Sequence, residues 1–172
     1  MSAMLDHVVA QIVALQVRLL ACRERLAADT DSEALHDLRT TLRRLRSLLR
    51  PLRGLPGVEQ LEEAARSLGT LTTPLRDREV LAAELIGHGF AEAGQRRLEG
   101  RARTFASVAA SPELTRVLAG VAGLLQALLS FWLLRRICDS VFGRTLLAVR
   151  DNEERAGAVG YNLRLLKLQA FV

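Results

Sequence analysis

The chain has 172 residues, 49% hydrophobic and 25% charged, enough for one packed domain with or without an appendage and unlike a disordered polymer. Its formal charge of +5 favours an anionic partner, and of 24 basic residues only Lys167 is a lysine. Cys22 and Cys138, the two cysteines, lie far apart in apolar patterns and match no zinc or redox spacing, which suits a reducing cytosol.

Alanine, leucine and arginine dominate, β-branched residues are sparse and four prolines interrupt, so the fold class expected is all-α. The N-terminus lacks the basic start and unbroken apolar stretch of a signal peptide, so export by that route is not expected. A GC-rich genome would produce the same preference for arginine, so only the positions of the arginines are informative.

Apolar residues at Leu5, Val8, Val9, Ile12, Leu15, Leu19 and Leu26 predict an amphipathic helix over 3–28. "ADTDSEA" breaks it, with Asp31 or Ser32 placed to cap a second helix that runs to Arg53 and stops at "GLPG". "VEQLEEAARSLGTL" predicts a third helix, and "TTP" at 72–74 the start of a separate short one, "LRDREVLAAELI". A fifth helix is predicted over 90–109. "SPE" at 111–113 is a helix start: a serine N-cap, a proline in the first turn and an acid beside it.

The sixth helix carries "VLAGVAGLLQALLSFWLL", eighteen uncharged residues between Arg116 and Arg135. That length is the threshold for a membrane span, weakened by Gln126 and Ser130. A helix packed on the bundle, or one that self-associates into a homo-oligomer, is the other reading and the one expected. Five arginines on each side (96, 97, 101, 103 and 116; 135, 136, 144, 150 and 155) give no bias to orient a span.

The second helix holds six arginines, a histidine and seven leucines in "EALHDLRTTLRRLRSLLRPLRG", residues 33–54. Leucines at 35, 38, 42, 45, 49 and 52 step by three and four and mark one face. His36, Arg39, Arg43, Arg46, Arg50 and Arg53 repeat that series one residue later, about 100° round the helix. Like charges at this spacing cost roughly 0.2–0.5 kcal/mol per pair, which a bound polyanion would relieve. The row spans about 25 Å at 1.5 Å per residue, a length for an extended anion more than for a single phosphate. A solvated basic face, or pairing with Glu62, Glu63, Asp77 and Glu79 on other helices, accounts for the same row without a ligand.

"EALHDLRTTLRRLRSLLR", followed about thirty residues later by "LRDREVL", resembles the first half of a CHAD domain, the conserved-histidine α-helical domain. The resemblance covers roughly residues 5–125 and implies a helical bundle that binds inorganic polyphosphate along a basic surface. It implies polyanion contacts from His36, Arg39, Arg43, Arg46, Arg50 and Arg76, and matches Arg76 and Asp77 to the family's Arg-Asp pair, the acid supporting by orienting basic neighbours. A complete CHAD domain has two related halves, each with a basic helix; no second "H-x-x-R" helix occurs here.

"FGRTLLAVRDNEERAGAVGYNLRLLKLQAF" predicts a polar helix, a Gly-Tyr-Asn break and a further helix. With the segment before it, from about 125, it resembles the cytoplasmic loop of permeases of branched-chain amino-acid ABC importers. That resemblance implies contact with an ATPase subunit, through a loop that includes Arg144, Arg150, Asn152, Glu153, Arg155 and Gly160.

The expected organisation is a CHAD-like helical bundle over 1–125 and a permease-loop-like helical extension over 126–172. The leading expectation is non-catalytic polyanion binding in the cytoplasm, with no cofactor and no metal site. The alternatives are a truncated permease component at the inner membrane, or a composite fragment of the two. Nothing matches a P-loop, a GxSxG turn or an HExxH helix, so no enzyme is expected.

Overall fold

The computed structural model describes residues 2–31, 33–158, 160, 162, 164 and 165. Most of these are helical, with no strand among them. In chain order the helices are α1 (Ser2–Ala28), α2 (Ala34–Leu49), α3 (Val58–Gly87), α4 (Ala91–Leu98), α5 (Arg101–Ala109), α6 (Pro112–Cys138), α7 (Val141–Asp151) and α8 (Glu153–Ala158). The chain divides into two compact units, Met1–Gln126 and Ala127–Val172.

In the first unit α1 packs on α2 and α5, α2 on α3, and α3 on α4. Leucine spacing drives this arrangement. Leu35, Leu38, Leu42, Leu45 and Leu49 of α2 are all buried, against a core that includes Ile12, Leu19 and Leu26 of α1 and Leu61 and Leu68 of α3. α2 ends at Leu49 because Pro51 cannot continue the backbone ladder; Arg50–Leu52 follow as a 3-10 turn. The stripe's last member, Leu52, is only half-buried there.

The entry to α2 is organised from outside the helix. Asp31 accepts a hydrogen bond from the Glu33 backbone N–H at 2.9 Å and pairs with Arg25 at 2.7 Å. Ser32, the other cap candidate, lies outside the described residues.

Two expected boundaries are corrected. α3 runs unbroken through Pro74, where a helix break was expected at "TTP". The proline removes one backbone bond, to Thr70, but neighbouring threonines bond back to the preceding turn: Thr72 Oγ1 donates to Leu68 O (2.9 Å) and Thr73 Oγ1 to Gly69 O (2.9 Å). Leu68, Thr72 and Ala82 are fully buried on both sides of the proline, so packing holds one axis. Conversely, the single helix expected over 90–109 is two. Gly100 adopts a left-handed φ of +76°, which ends α4 and starts α5.

α6 begins as its sequence indicates, with Ser111 Oγ accepting from the Leu114 N–H at 3.3 Å. Leu114, Val117, Val121 and Leu124 form its buried stripe. Gly120 allows the approach to α3: a Cβ there would meet Leu61 Cδ1 at 2.8 Å. Past Gln126 the same helix is exposed, so packing on the bundle accounts for only the first part of the uncharged stretch.

In the second unit Ser140 caps α7, its Oγ accepting from the Gly143 N–H at 3.2 Å. The Asn152 side chain accepts from the Arg155 N–H at 2.9 Å, at the start of α8.

Candidate functional site

The displacement of the cationic row from the leucine stripe places its first four members at the junction of α2 and α3. His36, Arg39, Leu42, Arg43 and Arg46 of α2 face Ala65 and Gly69 of α3 across an open groove of about 380 Å³. Ala65 and Gly69 lie one helical turn apart and have almost no side chain, which leaves the space. Leu42 and Ala65 are buried and make an apolar floor.

Each arginine in the groove meets a neutral partner or none. Arg39 Nη1 donates to Gly69 O (3.2 Å), Thr73 Oγ1 (3.0 Å) and Thr72 Oγ1 (3.4 Å), which ties α2 to α3. Those bonds use one nitrogen of a guanidinium with five N–H donors. Arg43 Nη2 donates to Thr40 Oγ1 at 3.3 Å. Arg46 Nε is buried with no hydrogen-bond partner among the described residues, although buried donors are normally paired. His36 is exposed at the rim.

The row's other members diverge. Arg50 is exposed on the 3-10 turn and does not line the groove. Arg53 turns to Glu62 of α3 in a bidentate pair, Nη2–Oε1 2.6 Å and Nε–Oε2 2.8 Å. The hydrogen bonds from Arg53 hold the Glu62 carboxyl below the usual range against the cost of its burial, with smaller help from the charges of Arg66 and Arg46. Arg76 is also outside the groove, half-buried and paired with Glu79 at 3.1 Å; Asp77 beside it is exposed.

Two further part-buried arginines of this unit are paired with acids. Arg25 joins Asp31 (2.7 Å) and Asp37 (2.6 Å), and the bonds from Arg25 pull the Asp31 carboxyl down to about 2. Arg101 meets Asp29 at 3.0 Å and lies over the Phe105 ring. Acids on α3 therefore take Arg53, Arg66 and Arg76, and the groove arginines keep their charge uncompensated at contact distance.

The sequence pattern did not single out Ala65, Gly69, Thr72 and Thr73. The available signal was the acid-free run of α3 from Ala64 to Arg76, one helix over from the arginines. The C-terminal candidates form no comparable cluster. Arg150 pairs with its neighbour Asp151 (3.1 Å), Arg144 is exposed, Asn152 caps α8, and Gly160 adopts a positive φ of 95°. The Glu153 side chain lies outside the described residues. Among the described residues no group of three or more His, Cys, Asp or Glu is arranged to hold a metal ion.

Arginines spaced three and four along a helix rise about 5 Å from one to the next, a pitch at which their donors reach successive groups of an extended anion. The fold and the groove together define an all-helical bundle with an arginine-lined cleft. A family model for the CHAD domain matches residues 11–159, and the chain belongs to that family. The match continues across most of the stretch that resembles a permease loop, and no comparison supports the permease resemblance. No curated protein and no solved structure matches the chain.

Proposed function

We propose that this protein binds inorganic polyphosphate, or a polyanion of similar charge density, in the groove between α2 and α3, without catalysing a reaction on it and in the cytoplasm. The observation that carries the reading is the contrast in pairing. Arg39, Arg43 and Arg46 line a groove with no carboxylate among its lining residues, while Arg25, Arg53, Arg76 and Arg101 are each held by one. The partnerless Nε of Arg46 is a donor in want of an acceptor, and a phosphate oxygen supplies one. The lining offers cations and apolar floor but neither nucleophile nor general base beyond His36, so the reading is of binding alone. Nothing favours a transport role for the C-terminal stretch, where Arg150 and Asn152 serve local structure.

Titration with long-chain polyphosphate tests this. Affinity is expected to fall steeply with salt, by analogy with counterion release from nucleic acids. Replacing Arg43 and Arg46 together by glutamine is expected to weaken binding by about 100-fold, since two charge-assisted contacts are lost. Salt-independent binding, or unchanged affinity in the double variant, would move the site elsewhere. Duplex DNA is the control; a preference for it would replace polyphosphate as the ligand class.

A further inference from the structure

Beyond Leu124, α6 keeps its apolar sequence but loses its cover. Leu129, Phe131, Trp132, Leu133 and Leu134 on α6 and Val141 on α7 are between 40% and 70% exposed. Residues 131–134 are consecutive, so they point to every side of the helix. With Ile137 and Leu147 these side chains present on the order of 800 Å² of apolar surface, taking roughly 200 Å² for each large side chain in full. Even half of that is comparable with the largest contiguous apolar patch of a typical monomer.

Two occupants are disfavoured by length and pattern. α6 is the one described helix long and apolar enough to cross a membrane. Yet Val117, Val121 and Leu124 are held in the core of the first unit. What remains free of charge and core is residues 125–134, about 15 Å of helix at 1.5 Å per residue, against a hydrocarbon thickness near 30 Å. A helix lying in the membrane surface needs a strongly charged face opposite its apolar one, and this stretch offers only the uncharged Gln126 and Ser130.

We propose that this stretch is a self-association surface, covered by the same stretch of a second copy of this chain. One partner's share of a standard stable interface is about 800 Å², and the part of this surface that faces one way supplies a large fraction of it. A helix apolar on most of its sides asks for protein cover, and the cores of homodimer interfaces are apolar in the same way. Of the charges bordering the patch, Arg135 is offset by Asp139 at 3.5 Å and Arg150 by Asp151 at 3.1 Å, while Arg136 lies 5.8 Å from the Trp132 ring and Arg144 is exposed. The paired charges limit repulsion of a second copy across a two-fold axis and leave only two cations at the border to draw an acidic partner. The inference uses no residue of the arginine groove, so either reading can fail without the other.

Sedimentation velocity on the full chain over a range of concentrations tests it, with Trp132, the sole tryptophan, as a reporter inside the patch. Expected are a species of twice the 18.9 kDa chain mass and a red shift of Trp132 emission on dilution. Leu129→Lys with Leu133→Lys, one turn apart on α6, is expected to weaken the dimer on the order of 100-fold. Val141→Lys, on α7, is the second variant, in case the first perturbs folding, and is expected to weaken the dimer in the same direction. A wild-type chain monomeric at all concentrations overturns the proposal, as does a dimer untouched by both sets. Flotation of the wild type with phosphatidylcholine–phosphatidylglycerol vesicles, with a blue shift of Trp132 emission, also overturns it by making lipid the occupant.

Discussion

The two ends of the arginine row share one helical repeat and one leucine stripe, yet they do different work. At its C-terminal end Arg53 grips Glu62 with two nitrogens, and Glu62 is buried beneath it. Two turns earlier, Arg43 and Arg46 face Ala65 and Gly69 and meet no acid. The difference originates in α3. Its acids stand before Ala64 and after Arg76, while the turns opposite the groove carry alanine, glycine, leucine and threonine. An arginine becomes a structural partner or a free donor according to the helix it faces; its own spacing does not decide.

That contrast is most directly broken at Arg53. Arg53→Gln removes the bidentate partner of a buried carboxylate, and breaking such a pair is far more damaging than losing an exposed one. A fall of several degrees in Tm is expected, with polyphosphate affinity altered by less than about tenfold, because the groove keeps its arginines. Arg43→Gln with Arg46→Gln is expected to do the reverse, shifting stability by about 0.5 kcal/mol or less while binding collapses. Thermal melting and polyphosphate titration of both variants decide the matter. If Arg53→Gln loses binding as completely as the groove variant, the two ends are not functionally distinct.

Much of this was legible from residue spacing. The leucine series of α2 set its buried face, and Ser111-Pro112 set the start of α6. The displacement of the cationic series brought His36, Arg39, Arg43 and Arg46 to one groove. What spacing did not carry was pairwise choice: Arg53 belongs to the same series, and its partner is nine residues away across a turn. Arg39 was likewise legible as a groove residue but not as the staple that ties α2 to Gly69, Thr72 and Thr73. The continuity of α3 was hidden because Pro74 is a local stop signal, and only the threonine back-bonds and packing on both sides override it. Past Leu124 the sequence supplied hydrophobicity with only Gln126 and Ser130 to interrupt it, too little polarity to say which side is covered.

The missing acid of the groove can be supplied. A Cβ at Gly69 meets nothing within 4 Å, so Gly69→Ala fits without repacking, and Gly69→Glu starts from the same open position beside the groove. Either replaces a glycine inside a helix and is expected to gain about 0.5–1 kcal/mol in stability. The alanine should leave polyphosphate affinity unchanged. The glutamate places a carboxylate beside the groove arginines, competing with the ligand and repelling it, and is expected to reduce affinity by about tenfold or more. Equal affinity in the two variants would mean that absence of acid is not what defines the site.

The smallest expected effect separates two of the Arg–Glu pairs of α3, Arg53–Glu62 and Arg76–Glu79, by pH. In Arg53–Glu62 both carboxylate oxygens are bonded, and the Glu62 carboxyl titrates below its usual value of 4.5. Its ionised form stabilises the fold, and that contribution is lost as pH falls below about 4.5, together with that of Asp31, whose carboxyl titrates at about 2. Glu79 has the opposite sign. Arg76 bonds one oxygen at 3.1 Å, the other is buried without a partner, and burial raises the carboxyl above 4.5 despite Arg76 and the nearby charge of Arg101. The folded state therefore holds that proton more tightly than the unfolded chain, so ionised Glu79 costs stability above its raised value and protonation restores it. A shallow stability maximum is expected on the mildly acidic side of neutrality. Glu79→Gln keeps an uncharged acceptor for Arg76 and is expected to flatten the arm above the maximum, leaving the acid arm in place. Glu62→Gln is expected to weaken the acid arm and to lower Tm at neutral pH. Melting curves from pH 3 to pH 8 read both arms, and a Glu79→Gln profile that still declines from mildly acid to neutral pH as the wild type does would show that its buried oxygen carries no such cost.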